Sequence, residues 1–249
     1  MRIKVVAVLI AIVFVAAACT PEQFQQWWTG RGNAPMQESE LSESARGATL
    51  FWQEKARRNR FVFEVHPISA GKAAAMAQST WRPGCPVPLS SLRYLVVSHM
   101  DFGGRERVGE IVVNASAVMA VHSAFKAMWD ESFPVQQMRP VRIFDGDDAR
   151  SMAANNTSGF NCRKVAGSNS WSQHSYGTAV DINPAQNPYV RGSTVEPAAG
   201  AAFVDRGRLR PGMLHWASAA NRAFANSGWG WGGNWRSSKD YQHFSANGG

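Results

Sequence analysis

The sequence of 249 residues predicts an α+β fold in which helices flank a small antiparallel sheet. β-Rich and helical segments alternate in mixed order, without the regular strand–helix repeat that a doubly wound parallel sheet requires. Hydrophobic residues make up 45% of the chain and charged residues 18%. This composition supports a sizeable core and excludes an intrinsically disordered chain. No internal repeat is evident.

The elements follow from hydrophobic periodicity and turn residues. In chain order we predict strands at 92–97 and 110–113, a helix at 115–132, strands at 141–144 and 178–183, and a helix at 214–226 that ends before Gly228. Residues 145–172 are polar and lack periodicity. Because long loops are uncommon in compact domains, we expect this segment to be functional.

The N-terminus resembles an export signal. Residues 5–18 form an uncharged apolar run after a basic start. The run is shorter than the roughly 20 residues of a membrane-spanning helix and is typical of a secretory signal. Small residues precede Cys19, as in bacterial lipoprotein signals. We therefore expect an exported protein of the cell envelope, anchored to the membrane by a lipid on Cys19. The alternative is an ordinary cleaved signal and a secreted protein.

Three cysteines are too few for a four-cysteine zinc site or a small disulfide scaffold. Once Cys19 is assigned to the anchor, Cys85 and Cys162 remain. Disulfides persist outside the cytoplasm, so we expect a bridge between these two residues. Two free buried cysteines are the alternative.

Composition shifts divide the chain after the signal. Residues 19–45 are predicted to be a tether, residues 46–79 a helical N-terminal extension, and residues 80–249 the main domain. The net charge is +8, with a basic cluster at 55–60. A solvated helix face is the preferred interpretation of this cluster, and attraction to an anionic envelope is the alternative. No nucleic-acid-binding motif is present, and we expect a monomer without a nucleic-acid partner.

Two short motifs carry residues suited to metal chemistry. His174 precedes Asp181, which lies in a short apolar strand where a buried carboxylate needs a partner. Asp240 precedes His243 by three residues. Two imidazoles and one carboxylate form a catalytic zinc set with an open fourth position, and Asp240 would then be the base. Spacing alone leaves open that Asp181 caps a turn and that His243 is a core residue.

The residues around these motifs point to a known family. The order is Ser172-x-His174-x-x-Gly177-x-Ala179-x-Asp181, then Trp231-Gly232-Gly233-x-Trp235, then Asp240-x-x-His243-Phe244. Roughly residues 80–246 resemble the D-alanyl-D-alanine carboxypeptidase family of zinc peptidases, which includes VanY-type carboxypeptidases and L-alanyl-D-glutamate endopeptidases. The resemblance implies the small α+β fold of these peptidases, also called hedgehog-like, one Zn²⁺ ion, and hydrolysis of peptidoglycan stem peptides.

Residue roles follow from the resemblance position by position. It implies that His174, Asp181 and His243 bind zinc, that Asp240 is the catalytic base, and that Ser172 contacts substrate. The family also has an arginine upstream of the first histidine. Arg163 is the nearest candidate, although it lies closer to His174 than the family pattern predicts. Arg139 and Arg142 are the alternatives. A Cys85–Cys162 bridge would hold the loop just before Arg163.

The aromatic segment 228–235 has two interpretations. Core packing is preferred for two of its three tryptophans, and a platform for muropeptide or sugar is the other interpretation, with Trp231 as the candidate. Tyr189 is expected to wall the same cleft. Asp240-x-x-His243-Phe244 is the endopeptidase-like form of the motif, so terminal D-alanine release and internal cleavage both stay open.

A non-catalytic wall-binding lipoprotein with a structural metal site is the alternative function. Structural zinc sites usually close with a fourth protein ligand, and no fourth histidine or cysteine ligand is evident.

Overall fold

The computed structural model describes residues 61–249. The predicted signal peptide, Cys19, the tether, the basic cluster and the first part of the predicted helical extension, residues 46–60, lie outside the described residues. Within residues 61–249, no helix has the length and apolar character needed to cross a bilayer.

The architecture is α+β, as predicted, but the strands form several small sheets instead of one, and these are antiparallel except for one parallel pair. The strands are β1 Phe63–Pro67, β2 Leu92–Met100, β3 Glu106–Asn114, β4 Gln137–Met138, β5 Asn156–Thr157, β6 Ala179–Asp181, β7 Tyr189–Arg191, β8 Thr194–Glu196, β9 Gly230–Trp231, β10 Lys239–Asp240 and β11 His243–Ser245. The α-helices are α1 Ala70–Ala77, α2 Val118–Asp130, α3 Asp148–Ala153 and α4 Ala219–Asn226.

The sheet with the longest strands has the order β1-β2-β3, and both of its strand pairs are antiparallel. Strand β1 lies in the segment that the sequence assigns to a helical extension, and this part of the assignment is wrong. Phe63 pairs with Val97 of β2 and its ring contacts His122 with a centroid distance of 4.7 Å. Pairing with β2 satisfies the backbone groups of β1, and the helix begins only at Ala70, after the N-cap Ser69.

The main core lies between this sheet and helix α2. The buried face of α2 carries apolar residues at helical spacing, as the sequence predicts: Ala120, Val121, Ala124, Phe125 and Met128. Helix α2 also packs against α4, where the Phe224 ring stacks on Phe244 of β11 with centroids 4.5 Å apart. The core therefore extends directly to the strand that carries His243.

Two further predictions need correction. The predicted strand at 141–144 is a 3₁₀ helix, Val141–Phe144. It follows Pro140 and ends at Asp145, which has φ +58° and whose N–H donates to the Arg142 carbonyl. These turn-forming ends override the β propensity of the apolar residues. The segment 145–172 also contains regular structure, namely α3, with Asp147 as its N-cap, and β5.

The expected bridge between Cys85 and Cys162 is present. Both cysteines belong to a second apolar cluster, in which Leu92, Tyr94 and Phe160 are buried. The Cys162 N–H also donates to the Thr80 carbonyl, at 3.0 Å. The chain entering Arg163 is therefore held by a covalent bond and a backbone hydrogen bond.

Candidate active site

Antiparallel pairing of β6 and β11 brings Asp181 and His243 together. The two residues are direct partners in the register. On its other edge, Asp181 exchanges two backbone hydrogen bonds with Ser158, each 2.9 Å long. Residues that pair directly across an antiparallel sheet have their side chains on the same face. The register therefore places this carboxylate and this imidazole side by side.

His174 reaches the same point from a 3₁₀ helix, Gln173–Tyr176. Ser172 caps this helix, and its Oγ accepts a hydrogen bond from the His174 N–H at 3.3 Å. The His174 Nδ1 lies 2.6 Å from the Gly159 carbonyl oxygen, to which it donates. This contact fixes the ring and leaves Nε2 as the free lone pair, the arrangement that orients histidine ligands in metal sites.

The donor atoms of the three residues converge. His174 Nε2 is 3.1 Å from Asp181 Oδ2, and His243 Nδ1 is 2.9 Å from Asp181 Oδ1. All three ligand atoms lie within 4.8 Å of one another, and all three residues are buried. Burial alone would raise the pKa of Asp181, but the two imidazoles hold it well below its usual range. Two imidazole nitrogens and an ionised carboxylate fit a zinc ion.

The glycine that follows this 3₁₀ helix has no room for a side chain. Gly177 has φ +70°, and a Cβ there would lie 2.7 Å from the Asn114 nitrogen. The Asn114 N–H also donates to the Gly177 carbonyl at 2.8 Å. The close approach docks the His174 helix against β3.

We expect Gly177→Ala to lower the free energy of unfolding by roughly 2 to 5 kcal/mol, because left-handed strain adds to a backbone clash. Gly167→Ala is the matched control, since Gly167 has the same φ of +70° and a Cβ there would meet nothing within 4 Å. It should cost only about 1–2 kcal/mol. Urea unfolding of both variants measures the difference, and equal losses would contradict the close-packing argument.

Asp240 lies beside the three donors without joining them. Strand β10 pairs with β7, so that Asp240 stands opposite Tyr189. Its Oδ1 is enclosed and has no hydrogen-bond partner among residues 61–249. Burial raises the pKa of Asp240 to about 7. A carboxyl group with a pKa near neutrality is suited to accept a proton and to return it.

Gly232 packs so closely against Asp240 that a side chain would not fit, which explains the glycine at this position of the Trp231-Gly232-Gly233 motif. A Cβ at Gly232 would lie 2.5 Å from the Asp240 carbonyl oxygen and 2.9 Å from the Asp240 Cβ. The missing side chain lets β10 approach the turn after β9. The position of Asp240 therefore depends on this glycine.

A cavity of about 630 Å³ is lined by the three converging residues and by Asp240. Arg163 also lines it and forms an ion pair with Asp148, with 2.8 Å between Nη2 and Oδ2. The alternative arginines, Arg139 and Arg142, do not line this cavity. The sequence did not single out Asp148 as a site residue. It lies, however, in the segment 145–172 that the sequence predicts to be functional.

Of the three residues predicted to contact substrate, the structure places two in the lining of the cavity and one in the core. Ser172 and Tyr189 line the cavity, but Trp231 does not. Trp231 is a buried core residue whose Nε1 donates to the Tyr241 carbonyl at 2.8 Å and whose ring packs near Phe244. The prediction that Trp231 faces the substrate is therefore not supported by its position. Trp235 lines the cavity instead, with its ring centroid 5.5 Å from that of His243.

The hairpin of β7 and β8 contributes residues that sequence reasoning missed. Arg191, Thr194 and Glu196 line the cavity, and all three are exposed. They occupy a short polar hairpin without a motif, so no sequence signal marked them. Only the pairing of β7 with β10 brings this hairpin to the Asp240 side of the cavity.

The site has the arrangement of a metal-dependent hydrolase centre: three side chains that could hold one metal ion lie beside a carboxyl group whose Oδ1 has no partner among residues 61–249. Residues 166–246 match the model of the D-alanyl-D-alanine carboxypeptidase family. The family resemblance inferred from the two motifs is thus confirmed over this segment, and the match supports a peptidase. The segment includes His174, Asp181, Asp240 and His243, whereas Arg163 precedes it. No curated protein and no solved structure is significantly similar to the chain.

Proposed function

We propose that this protein is an exported zinc metallopeptidase that hydrolyses peptidoglycan stem peptides. The observation that carries the proposal is the convergence of two imidazoles and a carboxylate beside a carboxyl group with no hydrogen-bond partner, inside one cavity of the described residues. The family match over residues 166–246 supports peptidoglycan peptides as the substrate class. Export and a membrane anchor on Cys19 are part of the proposal and rest on the N-terminal sequence.

The metal would be held by His174 Nε2, His243 Nδ1 and the Asp181 carboxylate. Each imidazole is oriented by a backbone carbonyl on its other nitrogen: Gly159 for His174, at 2.6 Å, and Gly249 for His243, at 3.3 Å. When bound, zinc supplies Lewis acidity and lowers the pKa of a coordinated water to about 7.

Asp240 then serves as the proton carrier. Its Oδ1 has no hydrogen-bond partner among the described residues, so it is free to accept a proton from the attacking water. Its pKa of about 7 allows it to give that proton to the departing amine. This is the role of general base followed by general acid.

Arg163 supplies the positive charge that a peptide carboxylate or a polarised carbonyl requires. Its Nη2 is held by Asp148 and its Nε is enclosed, so Nη1 is the guanidinium nitrogen left for substrate. Ser172 and Tyr189 contribute polar groups to the same wall. A guanidinium fork and a few hydroxyl groups suit a peptide with free carboxylates.

The test of the function is incubation of the zinc-loaded full chain with purified muropeptides, followed by mass spectrometry. Loss of one alanine mass supports a carboxypeptidase, and separation of the stem after its first residue supports an endopeptidase. Intact muropeptides from a protein with stoichiometric zinc would overturn the peptidase proposal and leave the wall-binding alternative.

Arg163→Gln should lower kcat/KM about 10- to 100-fold, because a charge-assisted hydrogen bond is worth about 1.5–3 kcal/mol. Arg150→Gln is the matched control. Arg150 is an exposed residue of α3, the helix that also carries Asp148. It pairs with Asp145 and does not line the cavity. Steady-state kinetics on the cleaved muropeptide measures both variants, and an unchanged kcat/KM in Arg163→Gln would remove this residue from the site.

A further inference from the structure

A second cavity, of about 420 Å³, lies at the tip of the β2–β3 hairpin, and it shares no lining residue with the candidate active site. We call it the arginine groove. Its charged lining residues are Arg105, Arg107, Arg139 and Asp101. Three guanidinium groups therefore face one carboxylate, which leaves a surplus of two positive charges in the groove.

Backbone contacts bring the distant Arg139 to the hairpin. The Val135 N–H donates to the Met100 carbonyl at 2.8 Å, which places the chain before β4 beside the end of β2. Gly109 of β3 permits the approach of β4, since a Cβ there would lie 2.6 Å from the Met138 Cβ. The segment that carries Arg139 is therefore packed firmly against the strand that carries Arg107.

Asp101 orients two of the arginines without saturating them. Its Oδ2 accepts from Arg105 Nε at 3.0 Å and from Arg107 Nε at 2.9 Å, while its Oδ1 accepts two backbone N–H groups of the turn. Of the guanidinium nitrogens, the Asp101 carboxylate therefore accepts hydrogen bonds only from the two Nε atoms. Among residues 61–249, the terminal Nη atoms of both arginines make no hydrogen bond, and Arg139 takes part in none of the ion pairs.

His99 adds a buried polar group to the lining. The residue is only 5% exposed, and its Nδ1 has no hydrogen-bond partner among the described residues. Buried nitrogens are rarely left unpaired in folded proteins. His99 lies opposite Arg107 in the register of β2 and β3, so this buried imidazole belongs to the same wall of the groove as the arginine.

We propose that the arginine groove binds a phosphate group. Guanidinium forks match phosphate oxygens in geometry and form strong, often bidentate hydrogen bonds with them. A phosphate monoester carries a charge of roughly −1.5 to −2 at neutral pH, which offsets the surplus in the groove, and the smaller charge of a phosphodiester headgroup offsets part of it. The group is a free phosphate ester or a lipid headgroup, since the groove recognises the chemistry that both share.

The test is calorimetric titration of the zinc-loaded full chain with inorganic phosphate. We expect binding that weakens at least tenfold in the double variant Arg107→Gln/Arg139→Gln and changes less than twofold in Arg208→Gln. Arg208 is an exposed arginine outside the groove. Circular dichroism and the Tm confirm that the variants fold.

A second measurement, co-sedimentation with phosphatidylglycerol vesicles against phosphatidylcholine vesicles, separates the two sources. Loss of phosphatidylglycerol binding in the double variant assigns a lipid headgroup, and phosphate binding without vesicle binding assigns a soluble phosphate ester. Three results overturn the proposal: no phosphate binding by the unmodified chain, unchanged binding in the double variant, which would place phosphate at the metal centre, or an equal loss in Arg208→Gln. Muropeptide hydrolysis is not used, so the proposed function can fail independently.

Discussion

Asp240→Asn is expected to lower kcat for muropeptide hydrolysis by about 10²- to 10⁴-fold, the range attributed to general acid–base catalysis. Asparagine has nearly the same shape but cannot accept the proton from water. Because Asp240 is not one of the three converging donors, zinc should still bind with unchanged affinity. The cavity should also keep its shape.

Two measurements on the same preparation check this expectation. Product formation is followed by mass spectrometry, and bound zinc is quantified by elemental analysis after dialysis. Near-normal turnover would exclude Asp240 as the base. Lost turnover together with lost zinc would show that Asp240 supports the metal site instead.

Asp181→Asn should remove both zinc and activity. The Asp181 carboxylate contacts both imidazoles, at 3.1 Å and 2.9 Å, and supplies the only negative charge of the donor set. Loss of an outer-shell partner typically costs 10- to 100-fold in metal affinity. We expect loss of this direct ligand to cost more than about 100-fold.

Competition with a chromogenic chelator measures the zinc affinity of this variant. Asp240→Asn is its matched control, since both variants replace one carboxylate in the lining of the same cavity with an amide. The proposed roles require opposite outcomes: zinc lost in Asp181→Asn and zinc retained in Asp240→Asn. If Asp181→Asn keeps wild-type zinc affinity, the assignment of the ligand set is wrong.

The donor types, their motifs and the fold class could be predicted from the sequence. His174 and Asp181 are close in the chain, and the apolar residues around Asp181 indicate a strand. A buried carboxylate requires a partner, so the local pattern already implies a second charged group. The helix at 118–130 was predictable for a similar reason, because its apolar residues repeat at helical spacing.

The strands at the edges were less predictable. Strand β1 has largely exposed residues and forms by pairing with β2. Residues 141–144 have β-forming side chains, yet the turn signals on either side make them a 3₁₀ helix. In both cases long-range or flanking contacts outweigh the weak intrinsic preference of a short segment.

The sequence by itself determined which groups could do the chemistry: two histidines, two aspartates and the glycines that allow close approach. Tertiary structure decided which of them meet. The register of β6 and β11 places Asp181 opposite His243, and the pairing of β9 with β11 turns Trp231 into the core and leaves Trp235 at the cavity. The physical reason is that a strand alternates its side chains between two faces, so a shift of one residue in register exchanges core and cavity. Likewise, Arg139 joins Arg105 and Arg107 only because β4 packs against Gly109.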